Sequence, residues 1–356
     1  MNILFIGRID YPPKQGGDAI QIENYKKIIS QKGHRVEIAS LIYEPDNYDF
    51  VQLFNISRVY DLAYQLETKV NNCPILVLHP IHFKTEHIER IKELGFKISG
   101  NERLKFIIRN ILSKKFKPDQ LRLLLRNEKK LLQTLFDNIA YFHFLTQTER
   151  KWFEEDFGFK VDDEKVIIFG NAVPHQLDKT KNLQEREIDI LIPGRIEPRK
   201  NSIDTANCLI SFKDKKIVFA GQLNRYYKNY CNEFLKLIEQ NENLNYAGSK
   251  NFQEMEKLYD NSKIVLSLSL SEVAPLIELE ALAHKSIFIG TNRSASTEKN
   301  MDSCYYIDPE NLKEAVNLLN DIFKKIESGF KFTFPKINSW EEEIKPLLDL
   351  YKKFEK

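Results

Sequence analysis

Glycine is scarce in this 356-residue chain, 13 residues in all, about half the usual share. Its placement is therefore informative. Gly7, Gly194, Gly221 and Gly290 each close a short apolar run, as strand-to-loop exits in a doubly wound sheet require. Between such runs the pattern turns helical. Residues 3–6 read as a strand; after the loop 8–17, Asp18 can cap a helix with Ala19, Ile22, Tyr25 and Ile28/Ile29 on one face and Gly33 at its end. Further strands are expected at 36–41, 48–55, 74–79, 140–145 and 165–171, with a helix after 146–149. The polar stretch 177–187 reads as a linker. The same grammar then restarts, with strands at 188–193, 217–220, 244–247, 264–268 and 287–290 and helices at 202–212, 230–239, 251–259 and 275–284. Short strands alternating with helices mean parallel α/β architecture. Residues 340–354 form an amphipathic helix with Ile344, Leu347, Leu348 and Tyr351 on one side.

The length suits two domains rather than one core. Hydrophobic content of 42% with 29% charged residues is ordinary globular composition, and a net charge of +2 argues against coating nucleic acid. The four cysteines, Cys73, Cys208, Cys231 and Cys304, lie far apart without metal-ligand spacing and read as reduced thiols of a cytosolic protein. The N-terminus is a first strand rather than a secretion signal, and no stretch reaches the length of a membrane span.

Two segments carry the chemistry. In Ser271-Glu-Val-Ala-Pro-Leu-Ile-Glu-Leu-Glu280 a predicted helix begins at Pro275, where a missing N–H costs nothing. The amides around Ala274, Leu276 and Ile277, at the positive end of the helix dipole, make an anion site. Glu280 lies about 7.5 Å further along the axis, so a nucleotide with its diphosphate at the helix start would hold its ribose near Glu280. Glu272, in the preceding loop, lies on the side of the transferred sugar. The bland alternative is that Glu278 and Glu280 are helix-surface acids. Upstream, Gly194-Arg-Ile-Glu-Pro-Arg-Lys200 leaves a strand where ligands of open α/β sheets bind. Arg195 and Lys200 are its phosphate-binding cations; Arg199 is adjacent, with an orientation that sequence leaves open. Acids for sugar hydroxyls beside cations for a diphosphate point to a nucleotide-sugar donor.

The combination resembles the retaining GT-B glycosyltransferases of glycosyltransferase family 4, over essentially the full length. Gly194-Arg195-x4-Lys200 is similar to the family's diphosphate turn, and Glu272-x7-Glu280 to its paired-glutamate motif. Gly16-Gly17, Gly33-His34-Arg35-Val36, Arg126-Asn-Glu-Lys-Lys130, 146–149, Gly170-Asn-Ala-Val173, 292–298 and Trp340 match other landmarks. The resemblance implies two Rossmann-like domains facing a central cleft. It assigns residues 1–180 to the acceptor, 181–335 to the donor, and 336–356 to a C-terminal helix crossing back to the first domain. It also implies sugar transfer to a glycan or lipid-linked oligosaccharide in cell-surface polysaccharide synthesis. No metal or other cofactor is expected, since no Asp-x-Asp occurs. The family's Gly-Phe-Gly is here Val273-Ala274-Pro275, leaving one fewer amide in the phosphate cradle, and its small-residue loop carries Ser294-Ala295.

The family expects a histidine after the fourth strand; this chain offers His79 and His82, either able to meet a sugar hydroxyl. Gly16 and Gly17 would let backbone amides approach the leaving phosphate. The stretch 102–130 sets ten cations, among them Arg109, Lys114, Lys115 and Lys117, against three acids, with interleaved phenylalanines and isoleucines. That mixture suits an anionic membrane surface at the cytoplasmic face or a lipid-diphosphate acceptor, or else a solvated helix pair. The rival from another class is a non-catalytic GT-B-like scaffold or chaperone of another transferase.

Overall fold

The computed structural model describes residues 1–7, 16–39, 47–56, 75–96, 128–174, 180–297 and 303–355. It divides into two compact units, one of Met1–Thr85, Lys97–Asn171 and Trp340–Lys356, the other of Glu86–Phe96 and Ala172–Ser339.

The first unit contains β1 (Asn2–Ile6), α1 (Gly17–Gln31), β2 (Arg35–Ala39), β3 (Phe50–Phe54) and β4 (Ile75–His79). After α2 (Thr85–Glu93), which enters the second unit, come α3 (Glu128–Asp137), β5 (Tyr141–Phe144), α4 (Gln147–Phe157) and β6 (Val166–Ile168). The six strands pair in parallel in the order β2-β1-β3-β4-β5-β6. Strands buried on both faces read as near-continuous apolar runs, and β3 and β4 are fully buried, with Gln52 and His79 their polar exceptions. The helix α1 buries Ala19, Ile22, Tyr25, Ile28 and Ile29, the face the sequence marks out. Its cap differs from expectation. Gly16 occupies the N-cap without a side-chain bond, and Asp18 sits inside the first turn, where its charge still favours the dipole.

The second unit contains β7 (Ile188–Pro193), α5 (Ser202–Leu209), β8 (Ile217–Ala220), α6 (Lys228–Glu239), β9 (Leu244–Tyr246) and α7 (Phe252–Asp260). Then follow β10 (Ser262–Ser267), α8 (Leu276–Ala283), β11 (Ile287–Thr291), β12 (Cys304–Ile307) and α9 (Leu312–Glu327). The parallel order is β12-β11-β10-β7-β8-β9. Edge strand β12 and helix α9 go beyond the elements read from sequence. The signal for α9 was present: Asn311 caps Glu314, and Ala315, Leu319, Ile322, Phe323 and Ile326 recur at helical spacing on the buried side. The supposed linker ends in a structural residue, since Arg186 is buried and donates to the Ser262 and His284 carbonyls.

The C-terminal helix divides into α10 (Trp340–Glu343) and α11 (Lys345–Lys352), with Pro346 opening the second part; a proline cannot continue the hydrogen-bond ladder. Trp340, Ile344, Leu347, Leu350 and Tyr351 are buried, whereas Leu348 is only half-buried.

Candidate active site

At the exit of β7 the backbone is under tight control. Gly194 takes φ 135° and Gly221, at the neighbouring exit of β8, φ 156°. A Cβ on Gly221 would stand 1.9 Å from the Gly194 carbonyl oxygen, so the two exits touch backbone to backbone. Ile196 then anchors the turn: its amide donates to Gln222 O at 3.0 Å, and its carbonyl accepts from Asn224 at 3.2 Å. Residues Pro198–Lys200 form one tight helical turn, closed by Asn201 in the left-handed region at φ 54°, a conformation asparagine tolerates. The turn delivers Arg199 and Lys200 to the loop after β10.

There they meet Glu272. Its Oε1 lies 2.5 Å from Lys200 Nζ and 3.1 Å from an Arg199 guanidinium nitrogen, and the residue is 6% exposed. Burial alone would raise this carboxyl; the charges of Lys200 and then Arg199, with a Ser269 hydroxyl bond, overcome that and hold it at about 2. Burial lowers Lys200, Glu272 pulls it back up, and Arg199 lowers it again. Arg199 is tied further to Glu197 Oε1 at 3.2 Å and donates to the Ser271 carbonyl at 3.0 Å.

The turn after β7 and the start of α8 share this crevice: a Cβ on Gly194 would lie 3.6 Å from the Lys200 stem and 3.9 Å from Ile277 Cδ1. Pro275 is the N-cap of α8, with no side-chain cap, so the first amides, at Leu276 and Ile277, have no carbonyl of their own helix to meet. Ala274 lies in the loop between Glu272 and this cap. Arg195 stands apart from the cluster. It is exposed and forms no ion pair among the described residues. The cation beside Lys200 is Arg199, whose inward orientation the sequence left open.

Glu280 is turned toward α7, accepting a 2.6 Å bond from the Tyr259 hydroxyl, and burial raises its carboxyl. It lines a small cavity of about 30 Å³ with Phe252, Met255, Tyr259 and His284. Glu278 is buried rather than a surface acid: its carboxylate accepts from Ser296 at 2.7 Å. The Val273 carbonyl accepts from Ala295 N at 2.9 Å and Ser294 Oγ at 3.1 Å. The two segments that depart from the family pattern are therefore knitted to each other. Sequence reasoning passed over Glu197, Ser269 and Tyr259, because none carries a spacing signal of its own, and weighed Glu278 only as a surface acid.

The remaining sequence candidates belong to the first unit. Gly16 caps α1, and a Cβ on Gly17 would meet nothing within 4 Å. His79 is fully enclosed, with Nδ1 2.7 Å from His143 Nδ1 and Nε2 2.8 Å from the Gln52 side-chain amide. Both ring nitrogens are thus engaged by protein, which leaves none for a sugar hydroxyl. Burial drives His79 well down and His143 to about 3, so both rings are neutral. His143 Nε2 donates to Phe169 O at 3.0 Å, so its Nδ1 accepts from His79. His79 Nε2 must then accept, which turns the Gln52 NH2 toward it and the Gln52 oxygen toward the Tyr351 hydroxyl. His82 bonds Asp156 through Nε2 at 2.8 Å, leaving Nδ1 without a partner among the described residues. Arg109, Lys114, Lys115 and Lys117 lie outside the described residues.

Residues 175–332 match the family model for glycosyl transferases group 1. The match falls within the second unit. No curated protein sequence matches the chain. Among solved structures, sucrose-phosphate synthase of Thermosynechococcus elongatus aligns at TM-score 0.70 and 9% identity over 99% of this chain and 98% of its own. Anabaena HepE in complex with UDP aligns at 0.65 and 12%, over 99% and 100%. A Rickettsia africae glycosyltransferase aligns at 0.63 and 13%, over 99% and 98%. At such identities the likeness establishes the fold, which is GT-B. No described helix is long and apolar enough to cross a membrane.

Proposed function

We propose that the protein moves a sugar from a nucleotide-diphosphate sugar to a hydroxyl of a glycan or lipid-linked acceptor, with retention of anomeric configuration. The crevice in which Lys200, Gly194, Glu272 and Ile277 meet carries this reading. It offers a releasable cation, open helix-start amides and a buried carboxylate within one sugar-diphosphate's reach. Lys200 and the Leu276 and Ile277 amides take the β-phosphate, and Arg195 reaches it from the exposed side of the same exit. Glu272, released from Lys200, accepts from a sugar hydroxyl. The ribose lies near Glu280. HepE was solved with UDP and glucose, which makes UDP-sugars the first donors to try.

In the transfer step the bond from the anomeric carbon to the β-phosphate oxygen breaks, and the acceptor oxygen bonds that carbon on the same face. The acceptor's proton passes to the departing phosphate, so no protein nucleophile and no metal is required. Each preorganised donor aimed at the leaving oxygens contributes about 3–4 kcal/mol to the barrier reduction. For the first unit the reading keeps acceptor binding, with Gly16 and Gly17 as candidate phosphate contacts and His82 as the candidate partner of a sugar hydroxyl. The setting is cell-surface polysaccharide synthesis at the cytoplasmic face of the membrane.

The test begins with thermal shift against UDP-glucose, UDP-galactose, UDP-N-acetylglucosamine and GDP-mannose, followed by donor hydrolysis and the anomeric configuration of the product. Arg195→Ala is expected to cut turnover sharply at saturating donor while leaving the melting temperature unchanged. A chain that neither binds nor hydrolyses any of these donors is the scaffold of the rival reading. An inverted product would keep the transferase and discard retention.

A further inference from the structure

Lys200 and Arg199 both contact Glu272, yet they are held very differently. Lys200 Nζ has Glu272 as its one partner among the described residues. Arg199 is clamped on both sides, by Glu197 at 3.2 Å and Glu272 at 3.1 Å, and also donates to the Ser271 carbonyl at 3.0 Å. Glu197 is fixed in turn by the Asn224 amide at 2.7 Å, and the Arg199 carbonyl accepts from Leu270 N at 2.8 Å. One cation can swing; the other is bolted in place.

The nucleotide-sugar reading, on which this inference rests, requires Lys200 to leave Glu272 for the donor's diphosphate. A buried carboxylate deprived of its only counter-ion is strongly disfavoured and takes up a proton instead. Protonated, Glu272 would be a poor acceptor for a sugar hydroxyl. We propose that Arg199 is a positioning residue that makes the Lys200–Glu272 pair separable: it stays on the Glu272 carboxylate while the ammonium transfers to phosphate. The pair is thereby a store of charge that donor binding can divide without protonating either half. Arg199 itself touches no phosphate in this scheme.

Calorimetric titration of the full chain with the tightest-binding sugar nucleotide of the panel above tests this, in buffers of differing ionisation enthalpy between about pH 6 and pH 8. Nucleotide-sugars have no phosphate titration in that window, so proton uptake reports on the protein. Wild type should bind with no proton uptake. Arg199→Met should bind about tenfold more weakly at the alkaline end, recover as pH falls, and take up close to one proton. The sign follows because the bound state of the variant has the higher Glu272 pKa. In a Glu272→Gln background the same substitution should cost less than about threefold, with no pH dependence. Arg199→Gln, which keeps hydrogen bonding without charge, repeats the measurement should the Met variant fail to fold. A loss equal at every pH, and undiminished in the Glu272→Gln background, assigns Arg199 a packing role and overturns the proposal, as does unchanged affinity. If wild type binds none of the sugar nucleotides, the underlying donor reading falls and takes this one with it.

Discussion

Two buried carboxylates, one in each unit, shift in opposite directions. Glu149, in the first turn of α4, is fully buried and, among the described residues, faces amides: Leu145 N at 2.6 Å and His82 N at 2.8 Å. Burial wins over those bonds and pushes it up to about 7. Glu272 is almost as buried but faces two cations, which take it down to about 2. The first is a fastener that ties the loop after β4 to α4. The second is a charge held in reserve. The histidines follow the same division, since His79 and His143 satisfy each other and stay neutral. Both units place polar groups at strand exits; among the described residues, Lys200 and Glu272 of the second are the charges a ligand could claim.

The contrast can be broken most severely at Lys200. Lys200→Ala should lower turnover by about 10²–10³-fold, as loss of one oxyanion donor does elsewhere, measured as donor hydrolysis at saturation. A fall of less than about threefold would make the Lys200–Glu272 pair as structural as the Glu149 cap. Next comes the close approach behind that site. Gly221→Ala forces a Cβ to 1.9 Å from the Gly194 oxygen and should cost about 3 kcal/mol or more in urea unfolding.

A pH scan sharpens the comparison between the two acids. Glu149 binds its proton more tightly folded than unfolded, so its contribution to stability declines as pH rises from about 4.5 to about 7. Glu272 has the opposite sign: its contribution is present above about 4.5 and is lost as pH falls toward about 2. Glu149→Gln should flatten the upper slope, by roughly 1–2 kcal/mol between its ends, and leave the acid limb untouched. Smallest is Tyr351→Phe, which strips the hydroxyl from the Gln52–His79–His143 chain. About 1 kcal/mol of stability should be lost, with turnover preserved; a large loss of turnover would move the histidines from scaffold to chemistry.

Periodicity made the sheet strands and α1 legible, because a doubly buried parallel strand has little choice but an apolar run, as at 75–79. Spacing made the proximity of Lys200 and Glu272 legible, because a helix start and a strand exit constrain what can stand near them, whereas Glu280 turns toward Tyr259. Orientation was not legible. Nothing in Pro-Arg-Lys distinguishes Arg199 turning inward from Arg195 staying outside; that is set by the turn at Asn201 and by Glu197, which is held by Asn224 from another loop. His79 likewise reads as a ligand from its place at a strand end, and only His143 and Gln52, contributed by neighbouring strands, reveal it as a satisfied core residue.

The placement of residues 340–351 bears on how the chain is made. Trp340 packs on Tyr25 at 5.8 Å between ring centres, Tyr351 on Phe50 at 4.9 Å, and Glu343 accepts the Gly170 amide at 3.2 Å. The unit begun first during synthesis is therefore the one finished last. Until residues 340–351 have been made, Tyr25, Phe50 and Gln52 lack the partners that Trp340 and Tyr351 supply, whereas the residues assigned to the second unit have already been translated. A chain stopped at Ser339 should leave the second unit folded and its companion a target for chaperones and proteases.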